Sequence, residues 1–247
     1  MSRLDSLTPS KSRSRASPSP SPSPGPGSPA RSTETTHHRM LKLVLSEVRK
    51  IIKTWDELVI MDGFKACKGV IDEGTEMDNI LSIEDKPERP EVGGHLNLWY
   101  AHRLSLESTL KKLDNNLYKL TALADQAEKI LFEAYKREGH EFVFVEPLWF
   151  TWTLEKFVNS LSPLISLHTS HLASLTSYSN IILDPNTPFD DAKLTLESWR
   201  DIATGGERWV GVREWEELVD IELSGGMDED EDEEDEVPVK GRRKNRK

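Results

Sequence analysis

LNLWYAHRLSLESTLKKLDNNLYKLTALADQAEKILFEA, residues 96–134, is the stretch that decides the fold. Leu96, Trp99, Arg103, Leu106, Leu110, Leu113, Leu117, Leu120, Ala124, Ala127, Leu131 and Ala134 alternate spacings of three and four, and only Arg103 among them is polar. A 3.5-residue period held over about five heptads predicts a coiled coil or a long bundle helix. At about 1.5 Å per residue it spans roughly 60 Å, so an elongated molecule is expected. Gly139 marks its end.

Working outward, residues 40–61 carry Leu41, Leu45, Val48, Ile52, Trp55 and Val59 at the same spacing, with Val44, Ile51 and Leu58 as a second stripe. A face that wide buries against more than one neighbour. Asp62-Gly63 reads as a helix stop, because glycine tolerates the left-handed conformation at a helix end. A shorter helix is expected over 64–81 and a loop over 83–94, where Pro87, Pro90 and Gly93-Gly94 fall. Beyond the long helix, residues 141–147 read as an extended connector. Phe150, Leu154, Phe157, Leu161, Leu164, His168, His171, Leu175, Tyr178 and Ile182 resume the three–four spacing. Pro163 within that pattern either kinks the helix or marks a new start. Two short helices follow, over 190–203 and 207–223, separated by Gly205-Gly206.

The chain has 247 residues and a net charge of −11. Residues 1–39 hold seven of the fourteen prolines, in Ser-Pro repeats, and few large apolar side chains. Residues 227–247 are nine consecutive carboxylates, Asp228 to Glu236, followed by the basic octamer Lys240 to Lys247. Neither end buries enough apolar surface to offset chain entropy, so both are expected to be disordered around a helical 40–226 domain. The fold class expected is therefore all-α: an elongated helical bundle with long heptad helices and disordered tails.

Within the arm, Thr8 and Ser28 stand in Ser/Thr-Pro-x-Lys/Arg sites suited to a proline-directed kinase. The carboxylate run repels itself and stays solvated. The cluster Arg242, Arg243, Lys244, Arg246 and Lys247 suits an acidic importin groove, and hence the nucleus, or RNA.

The single cysteine, Cys67, excludes an intrachain disulfide framework and a cysteine-based zinc site. No apolar run approaches the roughly 18 residues of a membrane span. An acidic core is a poor platform for nucleic acid, whose affinity comes largely from Lys and Arg on phosphates. No phosphate-cradling glycine loop or serine elbow occurs. His168 and His171 share a helix face, as metal ligands or as a hydrogen-bonded or partner-facing pair. No catalytic residue, cofactor or metal is called for.

The seven tryptophans either close the bundle core or anchor a partner. Heptad knobs and aromatic ends make Leu106, Leu110, Leu113, Leu117, Leu120, Trp149, Trp152 and Trp199 the candidate partner-binding residues. The heptad seam outlasts any other helix the pattern predicts, so a helix from another chain is expected to cover part of it.

Three segments together carry a resemblance: residues 55–64 with Trp55 and Gly63-Phe64, residues 147–152 (PLWFTW) with Phe157 and Leu161 behind, and residues 194–199 (LTLESW). In order and spacing they resemble the cyclin-dependent-kinase-interacting protein family (CINP), and the chain reads as a diverged, fungal-type member. The Ser-Pro arm, the acid-base tail and the Gly-Gly after Trp199 lie outside the family pattern. The resemblance implies a non-enzymatic nuclear adaptor linked to cyclin-dependent kinase, to replication and checkpoint signalling, and to AAA-ATPase-assisted maturation of the large ribosomal subunit. A structural coiled-coil subunit of a chromosome or kinetochore assembly is the alternative with the same heptads.

Overall fold

The computed structural model describes residues 34–83 and 91–225. Thr8, Ser28, the carboxylate run, the basic octamer and most of both expected tails lie outside the described residues. The described residues form α1 (Thr36–Glu57), a π-helical segment (Leu58–Gly63), α2 (Phe64–Ser82), α3 (Gly93–Glu138), α4 (His140–Phe144), α5 (Leu154–Asn159), α6 (Leu161–Leu183), α7 (Phe189–Thr204) and α8 (Gly206–Ser224). Among them there is no strand, only an isolated antiparallel bridge between Pro147 and Thr153. The fold is all-α.

α1 begins four residues earlier than the apolar spacing predicts. It starts at Thr36, not Met40, so the end of the expected arm is helical. Thr35 caps it by accepting from the His38 amide, and the His38 ring accepts in return from the Thr35 amide at 3.3 Å. This reciprocal cap satisfies two donors that a helix start leaves orphaned. A histidine thus stands where Glu or Gln is the usual third residue. His37 and His38 are buried.

Gly63 lies within continuous helical backbone. It does not stop the helix: its φ is −65° and ψ −52°, inside the right-handed region. The backbone passes from α1 through six π-helical residues into α2 without leaving the helical region, and Phe64 donates to the Val59 carbonyl. The wide turn absorbs a shift in the apolar spacing, so both halves keep their buried faces toward α3.

That continuity answers the seam. α3 has 46 residues, or about 69 Å. The α1–α2 run lies antiparallel along it. Leu41, Val44, Val48 and Ile52 pack with Leu120, Ala127 and Ile130 in one apolar cluster. Ala66, Cys67 and Val70 pack with Leu106 and Leu113 in a second. α6 covers the other flank: Leu161 and Leu164 join the first cluster, and Leu175 and Ile182 the second. Because Gly63 does not end the covering helix, the seam positions Leu106, Leu113, Leu120, Ala127 and Ala134 are buried within this chain, while Leu96 at its start stays exposed.

The buried line of α3 is also turned from the expected one. It runs Leu106, Thr109, Leu113, Asn116, Leu120, Ala127, Ile130, Ala134. Leu110 and Leu117 stand half-buried beside it. Leucines outrank Thr and Asn in an apolar count, so the pattern points between the true centre and its flank. Gly93 and Gly94, expected in a loop, open α3.

Two smaller differences follow the same logic. The expected connector over 141–147 is helical as far as Phe144. Pro163 is the third residue of α6, a new start, where its missing amide would have had no intrahelical partner. Gly139, at φ 94°, ends α3 as expected, and Gly225, at φ 73°, ends α8.

Candidate functional site

A buried polar layer crosses the bundle between the two apolar clusters. Trp55 of α1 donates its indole N–H to His171 Nδ1 at 3.0 Å and packs edge-on to His168, 4.8 Å between ring centres. His171 Nε2 lies 3.1 Å from the Ile202 carbonyl, and His168 Nδ1 lies 2.7 Å from the Leu164 carbonyl. Each ring nitrogen facing a carbonyl is the protonated one. The remaining nitrogen of each ring therefore accepts, His168 Nε2 from Arg208 at 3.4 Å. Arg208, buried on α8, also ion-pairs with Asp56.

Burial holds both imidazoles well below the ordinary 6.5, His168 at about 4 and His171 at about 3, with the Arg208 cation adding to it. Both rings are neutral and fully engaged at neutral pH. Burial pushes the Cys67 thiol up to about 12, which leaves it a packed, unreactive group. Among the described residues, no three His, Cys, Asp or Glu side chains are grouped to hold a metal. No helix among them is long and apolar enough to cross a membrane.

At the α1 start, α8 and the PLWFTW segment meet. Leu148 donates to the Trp152 carbonyl at 2.9 Å, closing a tight turn. Glu222 of α8 accepts from the Thr151 amide at 2.7 Å, the Trp152 amide at 2.8 Å and the Thr151 hydroxyl. His38 holds the turn from the other side through the Leu148 carbonyl, at 2.9 Å, and its ring packs edge-on to Trp149. Sequence reasoning missed Glu222, because a carboxylate near a chain end reads as solvated. It sits seven residues after Trp215, on the buried line of α8, and that phase was the available signal.

The structure separates the candidate partner-binding residues. Leu106, Leu113 and Trp199 have no exposed surface, Leu120 and Trp152 are buried, and Trp149 is half-buried. These side chains form the chain's own core in this fold. Of the three segments behind the family resemblance, the first and third meet: the Trp199 indole donates to the Val59 carbonyl at 3.2 Å.

The apolar surface left open lies elsewhere. A cleft of about 440 Å³ opens between the end of α2, the start of α3 and the α6–α7 connection. Met77, Leu96, Trp99, Tyr100 and Phe189 line it. Leu96 is 41% exposed, Tyr100 51% and Phe189 52%. Arg103 rims it, lying over the Trp99 ring and bonded to Glu107 at 2.9 Å. No protein-family model matches this chain, and among curated proteins none matches it.

Proposed function

We propose that this chain is a non-enzymatic adaptor that receives an apolar helix of a partner protein in the cleft between α2, α3 and α7. The observation that carries this reading is the exposure of Leu96, Tyr100 and Phe189 around one concave cleft, in which Thr75, Asp78, Arg103 and Asp184 stand among the apolar side chains. Exposed apolar anchors set among polar groups in one groove suit the apolar face of a partner helix. Apolar side chains grouped around a cleft leave transfer free energy unrealised, about 25 cal/mol per Å² of surface still in water. The bonds of His168 and His171 to the Leu164 and Ile202 carbonyls and the ion pair of Arg208 with Asp56 support a structural part for these groups, and so binding over chemistry.

In the wider reading, the bundle is elongated and the start of α3 extends the seam as one strand of a heteromeric coiled coil. The chain works in the nucleus, as CINP-type adaptors of cyclin-dependent kinase or AAA-ATPase complexes do. The resemblance of residues 55–64, 147–152 and 194–199 to that family supports this, as do the two Ser/Thr-Pro sites and the basic octamer.

The test uses surface residues, so folding is spared. L96D/Y100D in the full chain is expected to keep its helicity by circular dichroism. It is expected to lose at least tenfold in recovery of the partner that the unaltered chain co-purifies from nuclear extract. Full recovery by the folded variant overturns the cleft reading. Kinase or AAA-ATPase components among the proteins lost support the adaptor class, and centromere components overturn it in favour of a chromosome subunit.

A further inference from the structure

α1 carries five basic residues, Arg39, Lys42, Arg49, Lys50 and Lys53, and all five line one groove of about 690 Å³ between α1 and α8. In a chain of net charge −11 this is a local inversion of sign. Existing partners hold three of the five. Lys42 lies 3.6 Å from Glu34, Lys50 2.6 Å from Glu47 and Arg49 2.5 Å from Asp220. The two lysine pairs are exposed, contribute little and exchange readily, whereas Arg49 is half-buried and also donates to the Glu216 carbonyl at 3.4 Å. Arg39 and Lys53 have no acidic partner among the described residues. The groove is also apolar: Leu43, 67% exposed, stands among the bases, and Leu223 of α8 closes one side.

We infer that this groove is the docking site for the chain's own carboxylate run, Asp228 to Glu236. Position, reach, charge and apolar match converge on that occupant. Leu223 lines the groove, and only four residues separate it from Asp228. Gly225, at φ 73°, turns the backbone out of α8 there. α8 runs antiparallel to α1: Arg208 meets Asp56 at one end, while Leu223 reaches the groove near Leu45 at the other. A chain that reverses after Gly225 therefore runs back along α1 from Arg39 toward Lys53. Those bases span about 21 Å of helix, and nine extended residues reach about 30 Å.

The run is flanked by Met227 on one side and Val237-Pro238-Val239 on the other, apolar segments that match exposed Leu43. The carboxylates have a second choice in the basic octamer that follows them. The α1 bases are already fixed on a helix, so pairing with them orders only one partner. Docking leaves the octamer free of its own acidic neighbour and available to an external ligand. This inference stands independently of the α2–α3 cleft.

The experiment couples amines to carboxylates in the full chain with a zero-length carbodiimide, using a mixture of light and heavy isotope-labelled protein. Links from Lys42, Lys50 or Lys53 to 228–236 within one copy are expected at about 0.02 M salt. Their yield is expected to fall at least fivefold at about 0.5 M, where the screening length drops below 5 Å. A second measurement places a spin label at V239C, with buried Cys67 inert to the reagent. Amides of residues 39–53 are expected to broaden, and neutralising the nine carboxylates to amides is expected to restore them. Absence of tail links at low salt overturns the inference. So do links only between copies, or only to Lys240, Lys244 and Lys247.

Discussion

A methyl group placed on Gly63 would lie 2.6 Å from Cζ2 of Trp199. The indole of α7 thus rests on the backbone of the π-helical segment, and its N–H donates to the Val59 carbonyl of the same segment. That carbonyl also accepts the Phe64 amide that defines the wide turn. Gly63 is a contact glycine: the absence of a side chain is what lets Trp199 reach the carbonyl.

Gly63→Ala is therefore expected to destabilise by about 1–3 kcal/mol, the usual cost of overpacking. Helix propensity alone predicts the opposite sign, a gain of nearly 1 kcal/mol. Urea unfolding measures it. In a Trp199→Leu background the alanine should cost less, since its clash is gone. A midpoint that stays or rises in the native background refutes the contact.

Leu113 and Leu117 differ in the structure although the heptad pattern weights them equally. Leu113→Ala is expected to cost about 2–5 kcal/mol, the range for a fully buried leucine. Half-buried Leu117→Ala should cost clearly less. Equal losses in chemical denaturation would return the seam centre to the line of Leu110 and Leu117.

Glu222→Ala strands the Thr151 and Trp152 amides. Bonds to a charged acceptor contribute roughly 1.5–3 kcal/mol each, so a loss of about 3 kcal/mol is expected. Trp149 and Trp152 should report it as a change in tryptophan emission before global unfolding. Glu222→Gln, which keeps one carbonyl oxygen, should lose about half as much. A variant as stable as the native chain would show that the turn holds itself.

Acid should weaken the fold through His168 and His171. Unfolded, each binds a proton near 6.5; folded, only near 4 and near 3. Between those values the unfolded chain carries the extra protons, so stability is complete above about 6.5 and falls as pH drops toward 4 and 3. Each histidine contributes up to about 1.4 kcal/mol per pH unit inside its window. His171→Asn should flatten the dependence of the urea midpoint on pH between 4 and 6.5. An unchanged slope would mean that His171 titrates alike in both states.

The helical class, the approximate extent of the long helix and the stop at Gly139 were all legible in the sequence, since each follows from local periodicity or local backbone preference. The same local rule misread Gly63, because a glycine that ends a helix and one that admits an indole look alike until Trp199, far away in the chain, is placed. From that one reading followed a first helix too short to cover α3.

Composition drew attention to the tryptophans and leucines of the long helix, but not to which of them face inward. Leu110 and Leu117 are as apolar as Leu113. Thr109 and Asn116 belong to the buried line because α3 is wedged between the α1–α2 run and α6, which sets its rotation. His38, Glu222 and Arg208 looked like surface or tail residues. Each has a hydrogen-bond partner 40 to 152 residues away that exists only once the chain has folded, although His38 also makes a local bond to Thr35. Periodicity determined which segments are helices. Tertiary packing alone decided which faces they hide and which apolar side chains, Leu96, Tyr100 and Phe189 among them, remain exposed.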